Sequence, residues 1–207
     1  MTMRGLYVIT DGSVGDVLLA KVEQALLGGA AIVQFRDKTD ETERRLQDAG
    51  ALRSLCHQHN ALLVINDDVV LAKSMGADGV HVGREDAALV AARDYLGKGS
   101  IIGVSCYNRL ELALEAAGQG ADYVAFGSFF PSPTKPQAVQ AMPTLLAEAK
   151  SKFSTPVCAI GGITLETAPL LLENGADMLA VITDVFGSSD IRLQAQHYQQ
   201  LFEKFFR

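Results

Sequence analysis

Short apolar runs and amphipathic stretches alternate along this chain in a regular order. Strands are predicted at Gly5–Thr10, Ala31–Phe35, Leu62–Ile65, Gly79–Val82, Ile101–Ser105, Tyr123–Gly127, Val157–Ile160 and Met178–Ile182. Each is a short apolar run bounded by turn residues, the pattern of a strand buried on both faces. Between them the apolar positions change to helical spacing. Asp40–His59 is one such helix: it opens with an Asp40-x-x-Glu43 capping pattern and sets Leu46, Ala49, Leu52 and Leu55 on one stripe. A last helix from about Ile191 aligns Tyr198, Leu201, Phe202, Phe205 and Phe206, a face that seals it against its neighbours.

A second regularity marks the joints. Gly29-Ala30, Gly76-Ala77-Asp78, Gly120-Ala121-Asp122 and Gly175-Ala176-Asp177 recur at intervals of roughly 50 residues, each between a helix and an even-numbered strand. Glycine there supplies the left-handed end of a helix, and the small and polar residues after it turn the chain into the next strand. The repeating unit is therefore strand-helix-strand-helix, four times over. No linker or low-complexity tract interrupts it, so the expectation is one α/β domain over residues 1–207, a (β/α)8 TIM barrel near the short end of its usual size. An open doubly wound sheet is the alternative.

Composition narrows the class. The 207 residues are 48% hydrophobic and 20% charged, an ordinary globular balance, and no apolar run approaches the roughly 18 residues that span a bilayer. Without a signal-peptide pattern at the start, the expected compartment is the cytoplasm. Cys56, Cys106 and Cys158 are odd in number and widely spaced, which reads as buried thiols and neither a disulfide framework nor a metal site. The net charge of -6 argues against a broad nucleic-acid surface, and nothing points to a membrane partner; it leaves room for a local anion site. The sequence leaves the oligomeric state open.

In a barrel, chemistry belongs at the C-terminal ends of the strands, and the polar residues gather there. The second strand runs into Val33-Gln-Phe-Arg-Asp-Lys38, whose alternation puts Gln34, Arg36 and Lys38 on one face. Alone this is a polar edge strand, but a closed barrel has no edge, so the three point into the mouth. The third strand ends in Asn66-Asp67, the fourth leads to Gly83-Arg84-Glu85-Asp86, and the fifth ends in Ser105. The sixth opens into Pro131-Ser132-Pro133-Thr134-Lys135-Pro136, the seventh into Gly161-Gly162-Ile163, and the eighth into Ile182-Thr183-Asp184. Asp67 and Asp86 each suit a helix cap. Together they also bring two hard oxygen ligands to one rim, the kind of set that holds Mg2+ with the help of substrate phosphates. The glycine turn after the seventh strand, with the start of the helix after the eighth, suits a phosphate. Cys56-His57-Gln58-His59 lies on the opposite rim and reads as a solvated helix end, His81 as a residue that fills the bore or touches the site from below, and Ser105 has no evident His and Asp partners for a nucleophilic triad.

With these segments assembled, the chain resembles the thiamine-phosphate synthase family over essentially its whole length. The resemblance rests on Gly5-Leu-Tyr-Val-Ile-Thr-Asp11, Gln34-x-Arg36-x-Lys38, Asn66-Asp67, Gly76-Ala-Asp-Gly-Val-His-Val-Gly83 with Glu85-Asp86, Gly103-Val-Ser105, Pro133-Thr-Lys-Pro136 and Ala159-Ile-Gly-Gly-Ile163. It implies a transferase that joins hydroxymethylpyrimidine diphosphate to thiazole phosphate, or its carboxylated form, and releases pyrophosphate. By that likeness Gln34, Phe35, Arg36, Asp37, Lys38, Asn66 and Lys135 hold the pyrimidine diphosphate, with Arg36, Lys38, Lys135 and Ser105 acting in catalysis. Ser105 would lie beside the pyrimidine ring, and Ser132, Thr134, Gly162, Ile182 and Thr183 would face the thiazole phosphate. Asp67 and Asp86 would bind Mg2+.

Asp184 departs from the family pattern, because a small residue is usual there and a carboxylate beside a phosphate turn repels its ligand unless it points away. Two other readings of the same resemblance stay open. A thiazole tautomerase would carry a histidine near the end of the fifth strand and lose the diphosphate cations, where this chain has Ser105 and keeps Arg36, Lys38 and Lys135. A non-catalytic sensor of thiamine precursors would keep the pocket alone.

Overall fold

The structure, a computed structural model, describes residues 3–83, 86–131 and 139–206, and of residues 86 and 87 the backbone alone. Eight parallel strands, β1 (Gly5–Ile9), β2 (Ile32–Phe35), β3 (Leu62–Asn66), β4 (Gly79–Val82), β5 (Ile101–Tyr107), β6 (Tyr123–Phe126), β7 (Val157–Ile160) and β8 (Met178–Val181), close into a barrel in chain order. Outside them lie α1 (Gly15–Leu27), α2 (Thr42–Gln58), α3 (Val69–Met75), α4 (Asp86–Leu96), α5 (Leu110–Gly118), α6 (Thr144–Lys152), α7 (Ala168–Glu173), the short α8 (Thr183–Phe186) and α9 (Ile191–Phe205). The pairing of β1 with β8, from Gly5 opposite Met178 to Val8 opposite Val181, closes the sheet and excludes the open alternative. Every expected strand is present. The largest departure is β5, which runs on to Tyr107 through an irregularity in its register with β6.

Alternation along the strands divides the apolar side chains into two layers. Leu6, Val8, Val33, Phe35, Leu63, Ile65, Val80, Val124 and Leu179 face outward and pack with the inner faces of the helices. Tyr7, Ile9, Ile32, Val64, Tyr123, Ala125, Cys158, Met178 and Ala180 face inward and fill the bore. Among the described residues no helix is long and apolar enough to cross a membrane.

The glycine-alanine-aspartate joints do more than turn the chain. Gly29, Gly76, Gly120 and Gly175 all take positive φ, as the left-handed helix ends require. The aspartates then stitch neighbouring strands at the bottom of the barrel: Asp78, Asp122 and Asp177 accept the backbone amides of Leu63, Ile102 and Val157, each at 2.8 Å. Two of these carboxylates are also paired with a cation, Asp122 with Arg93 at 2.6 Å and Asp177 with Lys150 at 2.8 Å. The first joint has alanine in place of the aspartate and bonds through its backbone, the Ala31 amide donating to Leu6 at 2.9 Å and its carbonyl accepting from Leu62 at 3.0 Å.

The second helix corrects two expectations. It starts at Thr42 after Glu41, with no side-chain cap, so the Asp40-x-x-Glu43 box does not form. Its buried face is Asp48, Ala49, Leu52 and Cys56, while Leu46 is exposed. The stripe is rotated because Asp48 turns inward to accept the Gly15 amide at 3.2 Å and to meet Arg44 at 3.4 Å. All three cysteines are free and buried, and burial pushes the thiols of Cys56 and Cys106 up to about 12. They are inert packing groups. The last helix forms as expected, burying Ala195, Tyr198 and Phe202 and stacking Phe202 on Phe206.

Candidate active site

The C-terminal mouth of the barrel opens into a cavity of about 1120 Å³, lined by Gln34, Arg36, Asn66, Ser105, Gly162, Ile182 and Thr183 among others. Strand alternation explains the membership. Gln34 and Arg36 continue the inward face of β2, while Phe35 is buried in the outer layer and Asp37 turns outward. The structure therefore takes Phe35 and Asp37 away from the mouth. Asp37 bonds Arg44 at 2.6 Å and accepts the Thr39 amide at 2.8 Å; burial pushes its carboxyl up, but the bonds from Arg44 and Thr39 outweigh this and hold it below the usual range. That clasp fixes the backbone between Arg36 and Lys38. From the other side Thr10 bonds the Arg36 amide at 2.9 Å. The Arg36 guanidinium itself has no acceptor among the described residues.

At the rim, Lys38 meets Asp67 at 2.5 Å, and Asn66 donates to the same carboxylate oxygen at 2.8 Å. The two readings of Asn66-Asp67 separate here. The cap of α3 is Asp68, whose carboxylate accepts the Leu71 amide at 2.8 Å and pairs with Arg45. Asp67 caps nothing: it sits at φ 61, a left-handed conformation that costs a residue with a side chain free energy, and its carboxylate stands half exposed at the mouth. Of the other expected ligand, Asp86, the backbone begins α4, but its side chain lies outside the described residues. Ser132, Thr134 and Lys135 also lie outside them.

Both ends of the segment that carries those three residues are secured. Ser128 donates its amide to Val139 and accepts from Ala141, while Gln140 bonds the Phe129 carbonyl. The glycine turn after β7 packs against the same segment: a Cβ on Gly161 would stand 1.9 Å from the Ser128 hydroxyl, and one on Gly162 would stand 2.3 Å from the Pro131 carbonyl. Glycine is needed at both, and the positive φ of each confirms it. Beside this turn, Ile182 and Thr183 lead into α8, whose first amides have no partners within the helix. Asp184 also lines this end of the cavity, and its carboxylate accepts Gln194 and the Tyr198 hydroxyl, each at 2.7 Å. The turn after β8 is thereby tied to α9.

Sequence reasoning missed the floor of the cavity. Gln34 donates to the Tyr7 hydroxyl at 2.7 Å, Tyr7 and Tyr123 share a bond of 2.8 Å, and Tyr123 meets His81 Nδ1 at 2.9 Å. His81 Nε2 then reaches the Ser105 hydroxyl at 2.8 Å. His81 is thus part of the site and not filling alone. The only signal in the sequence was two tyrosines at inward positions of their strands, where aliphatic residues are the rule.

Known proteins agree with this geometry. Residues 6–185 match the family model described as thiamine monophosphate synthase. The chain is 49% identical to the thiamine-phosphate synthase of Thioalkalivibrio sulfidiphilus, covering 97% of this chain and 96% of that one. It is 51% identical to that of Azoarcus sp., covering 97% and 98%. Among solved structures it resembles a thiamine phosphate pyrophosphorylase from Pyrococcus furiosus, with a TM-score of 0.87 and 35% identity over 98% of this chain and 97% of that one. A barrel that matches these relatives from end to end places the chain in the thiamine-phosphate synthase family.

Proposed function

We propose that this transferase condenses an aminopyrimidine methyl diphosphate with a thiazole ethyl phosphate to give thiamine phosphate and pyrophosphate, or with its carboxylated form to give the same products and CO2. The observation that carries the reading is the Arg36 guanidinium, without an acceptor among the described residues, in a cavity whose rim also holds Lys38 and Asp67. A diphosphate brings about three negative charges, and charge-assisted hydrogen bonds worth roughly 1.5–3 kcal/mol each suit the task. Arg36 and Lys38 take the diphosphate, with Lys135 expected beside them; the turns at Gly162 and Ile182-Thr183 take the phosphate of the thiazole.

Asp67 fits Mg2+. It is a hard oxygen donor, strained toward the mouth, and already attracts a cation in Lys38. Among the described residues no three His, Cys, Asp or Glu side chains cluster as a metal cage. One or two carboxylates with substrate phosphates suffice for Mg2+, and Asp86 is the second expected ligand. The ion would supply neutralisation of the leaving diphosphate. In the reaction the exocyclic C–O bond of the pyrimidine breaks with its electron pair leaving on the diphosphate, and the thiazole nitrogen lone pair forms the new C–N bond. With the uncarboxylated thiazole no proton is transferred, and with either form no protein nucleophile is needed; the carboxylated form also loses CO2 and takes a proton from solvent in its place. The protein's part is to hold both molecules in line, neutralise the departing anion and keep water from the cation.

The test is to incubate the chain with both precursors, with Mg2+ or with a chelator, and to follow thiamine phosphate and pyrophosphate. Equimolar products that require both precursors and metal are expected. Isomerisation of the thiazole alone, or tight binding with no product, would replace this reading with a tautomerase or a sensor.

A further inference from the structure

The hydrogen bonds under the cavity form one continuous chain across the bore, Gln34–Tyr7–Tyr123–His81–Ser105, with donors and acceptors that must be consistent along its length. Its direction follows from the first link. The Gln34 side-chain nitrogen has only hydrogens to offer, so it donates to the Tyr7 oxygen. Tyr7 and Tyr123 are buried, each with one hydrogen to place; among the described residues the Tyr7 hydroxyl has no acceptor but Tyr123, so Tyr7 donates to Tyr123, and Tyr123 in turn donates to His81 Nδ1. A neutral imidazole that accepts at Nδ1 carries its hydrogen on Nε2, which donates to Ser105. The Ser105 hydroxyl hydrogen is left to point into the cavity. At the other end the Gln34 side-chain oxygen, with no partner among the described residues, faces the same cavity as an acceptor.

The fold is built to hold this chain. His81, Gly103 and Tyr123 are register partners at one height on β4, β5 and β6. The absent side chain at Gly103 lets the Tyr123 ring cross the middle strand: a Cβ there would stand 1.9 Å from the ring. The ring stacks on His81 at 5.6 Å and meets Tyr7 edge-on at 5.9 Å. Burial pushes both phenols up, so they remain protonated donors across the physiological range.

We infer that Tyr7, Tyr123 and His81 are positioning residues that pass the orientation of the Gln34 amide to Ser105, fixing an acceptor at one end of the cavity floor and a hydroxyl donor at the other. This deepens the proposed function and rests on it for the ligand: an acceptor at Gln34 welcomes the exocyclic amino group of an aminopyrimidine and rejects an oxo group in its place. The polarity itself needs no substrate to be tested. With 15N-histidine labelling, long-range proton–nitrogen spectra of the free protein at neutral pH should show His81 as the Nε2–H tautomer, and Tyr123→Phe, which removes the donor to Nδ1, should abolish that preference. A His81 carrying its hydrogen on Nδ1, or one whose tautomer is the same in Tyr123→Phe, would overturn the inference whatever the protein catalyses.

The selectivity arm uses an unreactive hydroxymethyl aminopyrimidine and its oxo counterpart as inhibitors of product formation. Tyr7→Phe, which frees the Gln34 amide to turn, should shrink the ratio of their inhibition constants by about tenfold, the size of one hydrogen-bond mismatch, while KM for the thiazole phosphate stays within about twofold. An unchanged ratio, or an equal loss for both substrates, would make the tyrosines structural and defeat the claim. Should Tyr7→Phe fold poorly, Gly103→Ala offers a second route to the same break by displacing the Tyr123 ring, and the tautomer of the unmodified protein is decisive in either case.

Discussion

Asp67 and Asp184 are carboxylates on one rim with different partners: Asp67 meets Lys38 and Asn66, and Asp184 accepts Gln194 and Tyr198. Asp67 takes the left-handed conformation and leaves capping to its neighbour Asp68, so its carboxylate stands at the rim, where it meets Lys38 and Asn66. Asparagine tolerates that conformation nearly as well but cannot supply the charge. Asp67→Asn should therefore keep the thermal midpoint within a few degrees while lowering kcat/KM at least about tenfold, the loss expected when charge stabilisation of a leaving group is removed. A variant with full activity would mean that Asp67 holds nothing in the reaction. Asp184 spends its charge on Gln194 and Tyr198, and Tyr198 is fully buried. Its hydroxyl loses a partner in Asp184→Ala, at a cost of about 1–3 kcal/mol. Denaturant titration should show that loss, and KM for the thiazole phosphate should change little; a marked fall in KM would show that the carboxylate repels the phosphate after all.

The loop between β2 and α2 is held by a side chain on the helix that follows it. Arg44 in the first turns of α2 pulls Asp37 outward and bonds Thr39, so Arg36 and Lys38 on either side of Asp37 are turned toward the mouth. Arg44→Gln should raise KM for the pyrimidine diphosphate several-fold with a smaller effect on kcat, measured by steady-state kinetics, because it loosens the cations without removing one. It should also move the acid limb of stability. The bonds from Arg44 and Thr39 hold Asp37 below its ordinary value, so their contribution is full above that value and lost as pH falls through the folded one. Without Arg44 the loss begins at a higher pH. The same loop shows what was legible in the chain. Two-residue alternation revealed that Gln34, Arg36 and Lys38 share a face, and the glycine-alanine-aspartate joints revealed the barrel, because both are local patterns that backbone geometry forces. The register of α2 was not legible, since Asp48 faces inward to serve a glycine amide 33 residues away. The tyrosine floor was hidden for the same reason: Tyr7 and Tyr123 lie 116 residues apart and meet only once the barrel closes.

On the scale of the whole molecule, a chain of net charge -6 is asked to collect two anions. The two facts act over different distances. For a globule of this length the radius of gyration is about 17 Å, and the screening length is about 30 Å at 0.01 M ionic strength but about 8 Å at 0.15 M. In dilute buffer an approaching diphosphate therefore feels the summed negative charge of the molecule. At moderate salt that repulsion is screened, while Arg36 and Lys38, the contacts proposed for the diphosphate, would still attract it. KM for the pyrimidine diphosphate should then fall as salt rises from about 0.01 to 0.15 M, and climb again toward 1 M, where the screening length shrinks to about 3 Å and the contacts themselves weaken. The measurement is a KM series in sodium chloride at fixed free Mg2+. A KM that climbs from the lowest salt onward would show that the field of the mouth already outweighs the global charge at long range, and that the acidic surface has no part in how substrate arrives.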